Sequence, residues 1–567
     1  MHLKLIIYLF LSIIATTGLA QEKNYPKDYF RSPLDIPLIL SGTFGELRSN
    51  HFHSGLDIKT QGKEGFPIYA IADGYISRIK VAQYGFGKAL YITHPNGYTS
   101  VYAHLQKYNE PIQSYVKKIQ YRKENYYTGN LFFKEETFPV KKGEIIAYSG
   151  DTGGSGGPHL HFEIRDTKTE NIINPLHFGF NIQDDRKPVI QSLKAYPLSD
   201  YAQINNQKND IKVEIKAIGS GKYVANKINA NGLIGFGINT FDQLNFAPNR
   251  NGVYSIEMFV NGKSTYYWDT EAFAFHESKF INLHIDYKHF KRYRSRYQKT
   301  FKDASNRLSM YENVKNSGKI NVKEGLNYNI QIIIKDFNGN FSYVIIPVQG
   351  VKSIPVFFTP KDSTNFKIEK NKFAKFSLKD VTILFPRNTF YEDTFLEIKE
   401  ENGITTIHTP TIPLDKNFTI QFDVSKYSEV EKEQMYIVNL ENPRYPRYQL
   451  TRKKDSVFYT TTKTLGNYSL NIDKQVPKIR LLYFKNNQWI SNFSTLKVKI
   501  SDIGSGIKNY RASIDGEWIL MEFNHKRGIL TYNFNDKKLV GSKHIFKIVV
   551  SDNVGNTNEL SATFFKK

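Results

Sequence analysis

Residues 153–163 read Gly-Gly-Ser-Gly-Gly-Pro-His-Leu-His-Phe-Glu. The glycine-rich turn followed by His159, Leu160, His161, Phe162, Glu163 and Ile164 predicts a β-strand entered from a loop. A strand has a period of two, so both imidazoles fall on one face while Leu160 and Phe162 take the other. Such a pair can hold a metal with one ring and leave its neighbour free nearby. The same pattern also fits two partly buried polar residues on a barrel strand, and further ligands elsewhere in the chain must decide.

Working outward, residues 50–58 read Asn-His-Phe-His-Ser-Gly-Leu-Asp-Ile and bring His53 and Asp57 into a His-x-x-x-Asp relation around a glycine. A carboxylate is a hard ligand that complements imidazole on zinc. With His161 these residues make a set of two histidines and one aspartate with a fourth position open, the arrangement of a catalytic rather than a structural site. His51 forms a second His-x-His with His53 and is an alternative ligand on spacing, but it lacks the relation to Asp57. Residues 101–105, Val-Tyr-Ala-His-Leu, put His104 at the end of a predicted strand. If His104 and His159 flank a metal-bound water, one can take its proton while the other stabilises an oxyanion or protonates a leaving amine.

A chain of 567 residues is too long for one core, and about 150 residues per domain predicts roughly three to five. The absence of cysteine excludes disulfides, thiolate zinc sites and lipidation at a signal-peptide cysteine, so a metal must be held by His, Asp or Glu. The first twenty residues read as a secretory signal, with Lys4 before an apolar run and small residues up to Ala20, which predicts a mature chain starting near Gln21. No later apolar run approaches about 20 residues, so no transmembrane segment is expected in the mature chain. The net charge of +23, from 77 basic and 54 acidic residues, favours polyanions. With an export signal, anionic envelope polymers are the better candidates, no nucleic acid is expected, and a merely solvated basic surface is the alternative.

The expected architecture is mainly β. After an extended lead-in over 21–40, residues 41–182 form a small antiparallel β domain with a helical insertion at about 106–138, where Ile112, Tyr115, Val116 and Ile119 recur at helical spacing. Pro95-Asn96-Gly97 between two β runs marks a hairpin, and His94 beside it reads as a surface residue. Residues 183–351 and 473–567 read as β-sandwiches of the Ig-like type, and 352–472 as a further β region of unassigned role. The two sandwiches carry a diverged repeat: Asp184 to Ile190 is echoed by Asp473 to Ile479, Ile218-Gly-Ser-Gly by Ile503-Gly-Ser-Gly, and Asp336-Phe-Asn-Gly-Asn by Asp552-Asn-Val-Gly-Asn. The first copy holds an extra, partly helical stretch at about 277–316 whose basic and aromatic residues read as an amphipathic cover or a sugar- or phosphate-binding face.

Residues about 41–180 resemble the lysostaphin-type, or LytM-type, zinc endopeptidases, a duplicated hybrid motif family whose members cut peptide cross-links in bacterial peptidoglycan. The resemblance rests on His-x-x-x-Asp at 53–57, the histidine of Tyr-x-His-Leu at 104, and Gly-Pro-His-Leu-His-Phe-Glu at 157–163, in that order. It implies zinc ligands His53, Asp57 and His161, catalytic His104 and His159, Zn2+ as cofactor and peptidoglycan as substrate, while the secretory signal places the expected action in the periplasm, cell envelope or outside the cell. A helical insertion that plugs the groove would instead make the protein a catalytically silent scaffold or a regulator of another wall hydrolase. An adhesin in which the sandwiches dominate is a third reading.

Overall fold

The computed structural model describes residues 24–353 and 364–567; the expected signal at 1–20 lies outside the described residues. The sheet that carries the site is antiparallel, in the order Leu40–Gly42, Leu56–Lys59, His159–Asp166, Tyr98–Ala103, Lys88–Thr93, Gly74–Val81 and Gly129–Phe132. Its inner face is built from β-branched and aromatic residues that alternate with polar ones, among them Ile58, Ile76, Ile92, Tyr102, Leu160 and Phe162, all buried. Asn96 and Gly97 turn the hairpin between Lys88–Thr93 and Tyr98–Ala103, with Gly97 at φ +85° where a side chain would be strained.

His94 is buried rather than at the surface. Its Nδ1 pairs with the carbonyl of Asp73 and its Nε2 with Ser100 Oγ, both at 2.8 Å, and burial lowers its pKa to about 4. The ring is roofed by Phe30 at 5.4 Å, a residue of the lead-in, which packs Tyr25, Phe30 and Leu34 into the core.

The insertion is helical over Ile112–Lys123 alone. Ile112, Val116 and Ile119 form its buried stripe, and the helix stops at Glu124, which adopts the left-handed conformation. The residues after it form the strand Gly129–Phe132, which pairs with Gly74–Val81 at the far edge of the sheet from the histidine strand. Tertiary pairing decides here, because Gly-Asn-Leu-Phe carries no helical or strand signal of its own.

The expected boundary at 182/183 is crossed by a strand pairing and by a shared core. Ile172–Ile173 pairs on one side with His159–Asp166 and on the other with Ala272–Phe273 of the first sandwich, and one apolar cluster takes in residues from Tyr25 to Val348 together with Leu520 of the last sandwich. Phe52 is the rivet: its ring lies 5.7 Å from Phe273 and 6.4 Å from Trp268, and its amide donates to Ser278 Oγ at 2.8 Å. The stretch at 277–316 covers this seam, with His284 stacked on Trp268 at 4.7 Å and Phe290 and Tyr297 buried.

Residues 366–472 form two five-stranded sheets and one two-stranded sheet around a separate core, and residues 478–565 a four- and a five-stranded sheet around another. The outer echoes of the repeat occupy matching positions in the first and last sandwiches, but the middle echo does not. Ile218-Gly-Ser-Gly lies on an extra hairpin, Ile215–Gly219 with Lys222–Ala225, whereas residues 503–506 link Thr495–Ser501 to Ile507–Ile514.

Phe52→Ala opens a cavity at the seam and is expected to cost about 3–5 kcal/mol. Chemical denaturation should show the sheet that carries His159 and His161 and the first sandwich losing stability together, because they share one core.

Candidate metal centre

The register of three strands assembles the centre. His161 lies directly opposite Asp57 on one side and Ala103 on the other, so the strand that carries the histidine pair receives a carboxylate from one neighbour and His104, the next residue along, from the second. His53 comes from the loop before Leu56–Lys59. Gly55 lets that loop press against the histidine strand, since a Cβ there would stand 2.3 Å from the Phe162 carbonyl oxygen.

One donor atom from each of His53, Asp57 and His161 lies within 4.8 Å of the other two. Asp57 Oδ1 stands 3.0 Å from His53 Nε2, 2.9 Å from His161 Nδ1 and 3.4 Å from His159 Nε2, and His53 Nε2 is 3.1 Å from His161 Nδ1. The rings of His104 and His159 lie beside the group with centroids 4.8 Å apart. All five residues singled out in the sequence are thus brought together. His51, the alternative on spacing, is exposed and stands outside the group.

Each ring is oriented by a bond on its outer nitrogen. His53 Nδ1 donates to the Thr43 carbonyl, His104 Nδ1 to the Thr152 carbonyl and His159 Nδ1 to the Gly157 carbonyl, all at 2.8 Å. The three Nε2 atoms are left for the centre, the tautomers following from these partners. His161 is reversed: Nδ1 faces Asp57 while Nε2 donates to Glu163 Oε1 at 3.0 Å. Glu163 is fully buried, and its other oxygen accepts from Arg165 Nε at 2.7 Å and Nη2 at 2.5 Å. His159, His161, Glu163 and Arg165 share one strand face, so this relay could have been found from the period of two, but carboxylate and guanidinium look like an ordinary ion pair until the fold buries them.

The protonation states follow from burial and neighbours. Burial alone would depress His161, but its bonds to Asp57 and Glu163 raise it to about 9. Burial opposes ionisation of Glu163 too, yet Arg165 and His161 hold it at about 2. Against its own burial, Asp57 is kept far below the usual carboxylate range by the surrounding imidazoles. Burial, followed by the fields of His161 and His159, lowers His104 to about 3. His104 also sits at φ +60°, a strained conformation of the kind retained where a side chain must be aimed.

Two imidazole nitrogens and a carboxylate oxygen, with no thiolate, suit a first-row divalent metal such as zinc. A carboxylate relay behind a ligating imidazole is the usual support for such an ion. Space beside Asp57 is kept by Gly42, where a Cβ would meet Asp57 Oδ2 at 2.7 Å. The glycine-rich turn divides into two uses. Gly153, at φ +72°, packs against the backbone of residues 85–87, and a Cβ would lie 2.3 Å from the Gly87 nitrogen, while Gly156 and Gly157 border open space.

The C-terminal sandwich returns to the same edge of the site. Lys526 Nζ donates to both the carbonyl and Oδ1 of Asp151 at 2.7 Å, Lys88 Nζ to Glu522 Oε2 at 3.0 Å, and the rings of Tyr84 and His525 meet at 4.9 Å.

Residues 51–121 and 123–175 match the family model described as Peptidase family M23, and residues 365–473 match a Zu5-like domain. The chain is 32% identical over 162 residues to a protein of Haemophilus influenzae named as an uncharacterized metalloprotease, covering 28% of each. It is 34% identical over 119 residues to the DD-carboxypeptidase/endopeptidase Mpg of Neisseria meningitidis serogroup B, covering 21% of each. It is 30% identical over 159 residues to the peptidoglycan DD-endopeptidase ShyC of Vibrio cholerae, covering 27% of this chain and 28% of that one. The matches thus span under a third of the length of these relatives.

Below pH about 9 the His161 ring carries a second proton, which a metal must displace. Because the pKa is raised, apparent zinc affinity is expected to climb about tenfold per pH unit from neutrality toward pH 9 and then level off. Calorimetry in buffers of different ionisation enthalpy should find about one proton released per zinc at neutral pH. Glu163→Gln, which weakens the relay behind His161, should reduce zinc affinity about 10–100-fold, read by competition with a chelating dye.

Proposed function

From a chain that carries a peptidase family M23 domain over residues 51–175, we propose an exported zinc metalloendopeptidase that hydrolyses amide bonds in the stem peptides or cross-links of peptidoglycan. The observation that carries this reading is the convergence of His53, Asp57 and His161 on one point with the His104 and His159 rings beside it. Two of the relatives bear the names of a DD-carboxypeptidase/endopeptidase and a peptidoglycan DD-endopeptidase, which supports the substrate class. Export rests on the sequence of residues 1–20; among the described residues no helix is long and apolar enough to cross a membrane.

His53, Asp57 and His161 would hold the metal, which when bound supplies Lewis acidity and lowers the pKa of a coordinated water. The chain's own residues do the rest. Burial keeps His104 neutral, so its Nε2 lone pair is available at physiological pH to orient water and accept a proton. His159, held through Nδ1, presents Nε2 on the Asp57 side, where in its doubly protonated form it would donate to the charge developing on the substrate carbonyl and then to the departing amine, while the proton that His104 takes from water returns the pair of histidines to its starting proton count. Glu163 and Arg165 keep the His161 ring aimed through the cycle. Gly156 and Gly157 leave room for a peptide backbone beside His159.

The silent-scaffold reading required an insertion that plugs the groove. The strand Gly129–Phe132 instead extends the sheet at the edge away from the histidines, which favours catalysis.

His161→Ala and Asp57→Ala are expected to lose both bound zinc and release of muropeptides from purified peptidoglycan. His104→Ala and His159→Ala should keep zinc while losing about 10²–10⁴-fold in rate. Elemental analysis and mass spectrometry of the products, on the same preparations, give both readouts and identify the bond cut. Wild-type protein that holds zinc but releases nothing would favour the scaffold.

A further inference from the structure

The first and last sandwiches each gather three aspartates at one corner: Asp184, Asp242 and Asp336 in one, Asp473, Asp502 and Asp552 in the other. In each trio one oxygen per residue lies within 4.8 Å of the other two. The two corners are built alike. Val189, which follows Asp184 by five residues, pairs with Phe241, the residue before Asp242; Lys478, which follows Asp473 by five, pairs with Ser501, the residue before Asp502. Asp336 and Asp552 each open the turn of a β-hairpin, Asn327–Lys335 with Phe341–Gly350 and Lys543–Asp552 with Thr557–Phe565.

The same clamp holds both. Asn340 donates its amide to Asp336 Oδ1 and its Nδ2 to Asp336 Oδ2, each at 2.8 Å, and Nδ2 also reaches the Asp184 carbonyl at 3.2 Å. Asn556 donates its amide to Asp552 Oδ1 and its Nδ2 to Asp552 Oδ2 at 2.8 Å, and to the Asp473 carbonyl at 2.9 Å. Asp242 and Asp502 share no sequence echo; only strand pairing makes them counterparts.

Among the described residues these six aspartates form no ion pair. Asp242 is 3% exposed, yet its Oδ1 meets no hydrogen-bond donor, a costly state for a buried carboxylate. In the second corner Asp502 Oδ1 and the buried Ser505 Oγ are likewise without partners. Burial and the fields of Asp184 and Asp336 push Asp242 up to about 8, and burial with Asp184 raises Asp336 to about 6, even though Arg186 acts to lower Asp242. A cavity of about 20 Å3 opens at the first corner, where Asp184, Asp242, Asp336 and Thr43 share its lining with apolar side chains such as Phe44 and Leu244. That is room for about one small ion or water.

We propose that each corner is a calcium site, formed by three carboxylates and clamped by Asn340 or Asn556. The ligand set is oxygen alone, which selects a hard cation, and carboxylates that are mono- or bidentate around an adaptable centre suit calcium better than the rigid octahedron of magnesium. The first site also ties the sandwich to the metal centre: Thr43 accepts from the Gly252 amide through Oγ1 at 3.2 Å and from His53 Nδ1 through its carbonyl.

The test uses the full chain, stripped with chelator and titrated with calcium by calorimetry and by equilibrium dialysis up to about 10 mM, since extracellular calcium modules bind at about 10⁻⁴–10⁻³ M. Two equivalents are expected. Asp242→Asn and Asp502→Asn should each remove one and the double variant both, while Asp57→Ala removes neither. Fewer than two equivalents bound by the wild-type chain, or stoichiometry unchanged in the double variant, would overturn the proposal. Because the wild-type stoichiometry needs no variant, a variant that fails to fold leaves the test intact. Magnesium bound as tightly as calcium at the same two equivalents would overturn the calcium assignment.

Discussion

The register of one strand governs the metal centre. With His161 set opposite both Asp57 and Ala103, the period of two sends His159, His161, Glu163 and Arg165 to the functional face and Leu160, Phe162 and Ile164 into the core. A slip of one residue would turn the imidazoles into the apolar core and aim Leu160 and Phe162 at the candidate ligands, so the hydrophobic core that stabilises the sheet also sets which side chains face Asp57. Glycines at 42 and 55 permit close approaches beside Asp57 and the histidine strand, and the strained backbone at His104 is held by its amide, which donates to the Phe86 carbonyl at 3.0 Å.

Around this strand the molecule is organised in seams rather than in beads. Phe52 stands beside His53 in sequence but packs into the first sandwich, so the core behind one candidate ligand is contributed by another sheet. The last sandwich, more than 300 residues away in sequence, reaches back to Asp151 through Lys526, next to Thr152, whose carbonyl orients His104. The sandwiches are therefore part of the surroundings of the centre and not only appendages that could carry it to a surface.

Much of the centre was legible because its residues fall in short ordered motifs whose spacing reflects local geometry: a loop for His53 and Asp57, a strand end for His104, alternation for His159 and His161. Glu163 and Arg165 lie in the same motif but were passed over, since a Glu-x-Arg pair has an ordinary reading as a surface ion pair until burial is known. His94 went the other way: its turn looked exposed, but the lead-in aromatic Phe30 covers it. The helical insertion was overextended, because the strand after it is specified by its partner at Gly74–Val81 and not by its own residues.

The sequence by itself determined the mainly β character, the peptidase-type motif set and the presence of a repeat, all of which depend on residue type and short-range periodicity. Tertiary structure decided what is long-range. It alone showed that two sheets share a core, that Asp242 and not a residue near the Gly-Ser-Gly echo is the counterpart of Asp502, and that one sandwich closes back on the edge of the candidate centre. The physical reason is that strand pairing and burial are properties of partners distant along the chain, and the free energy that selects them is not written in any one segment.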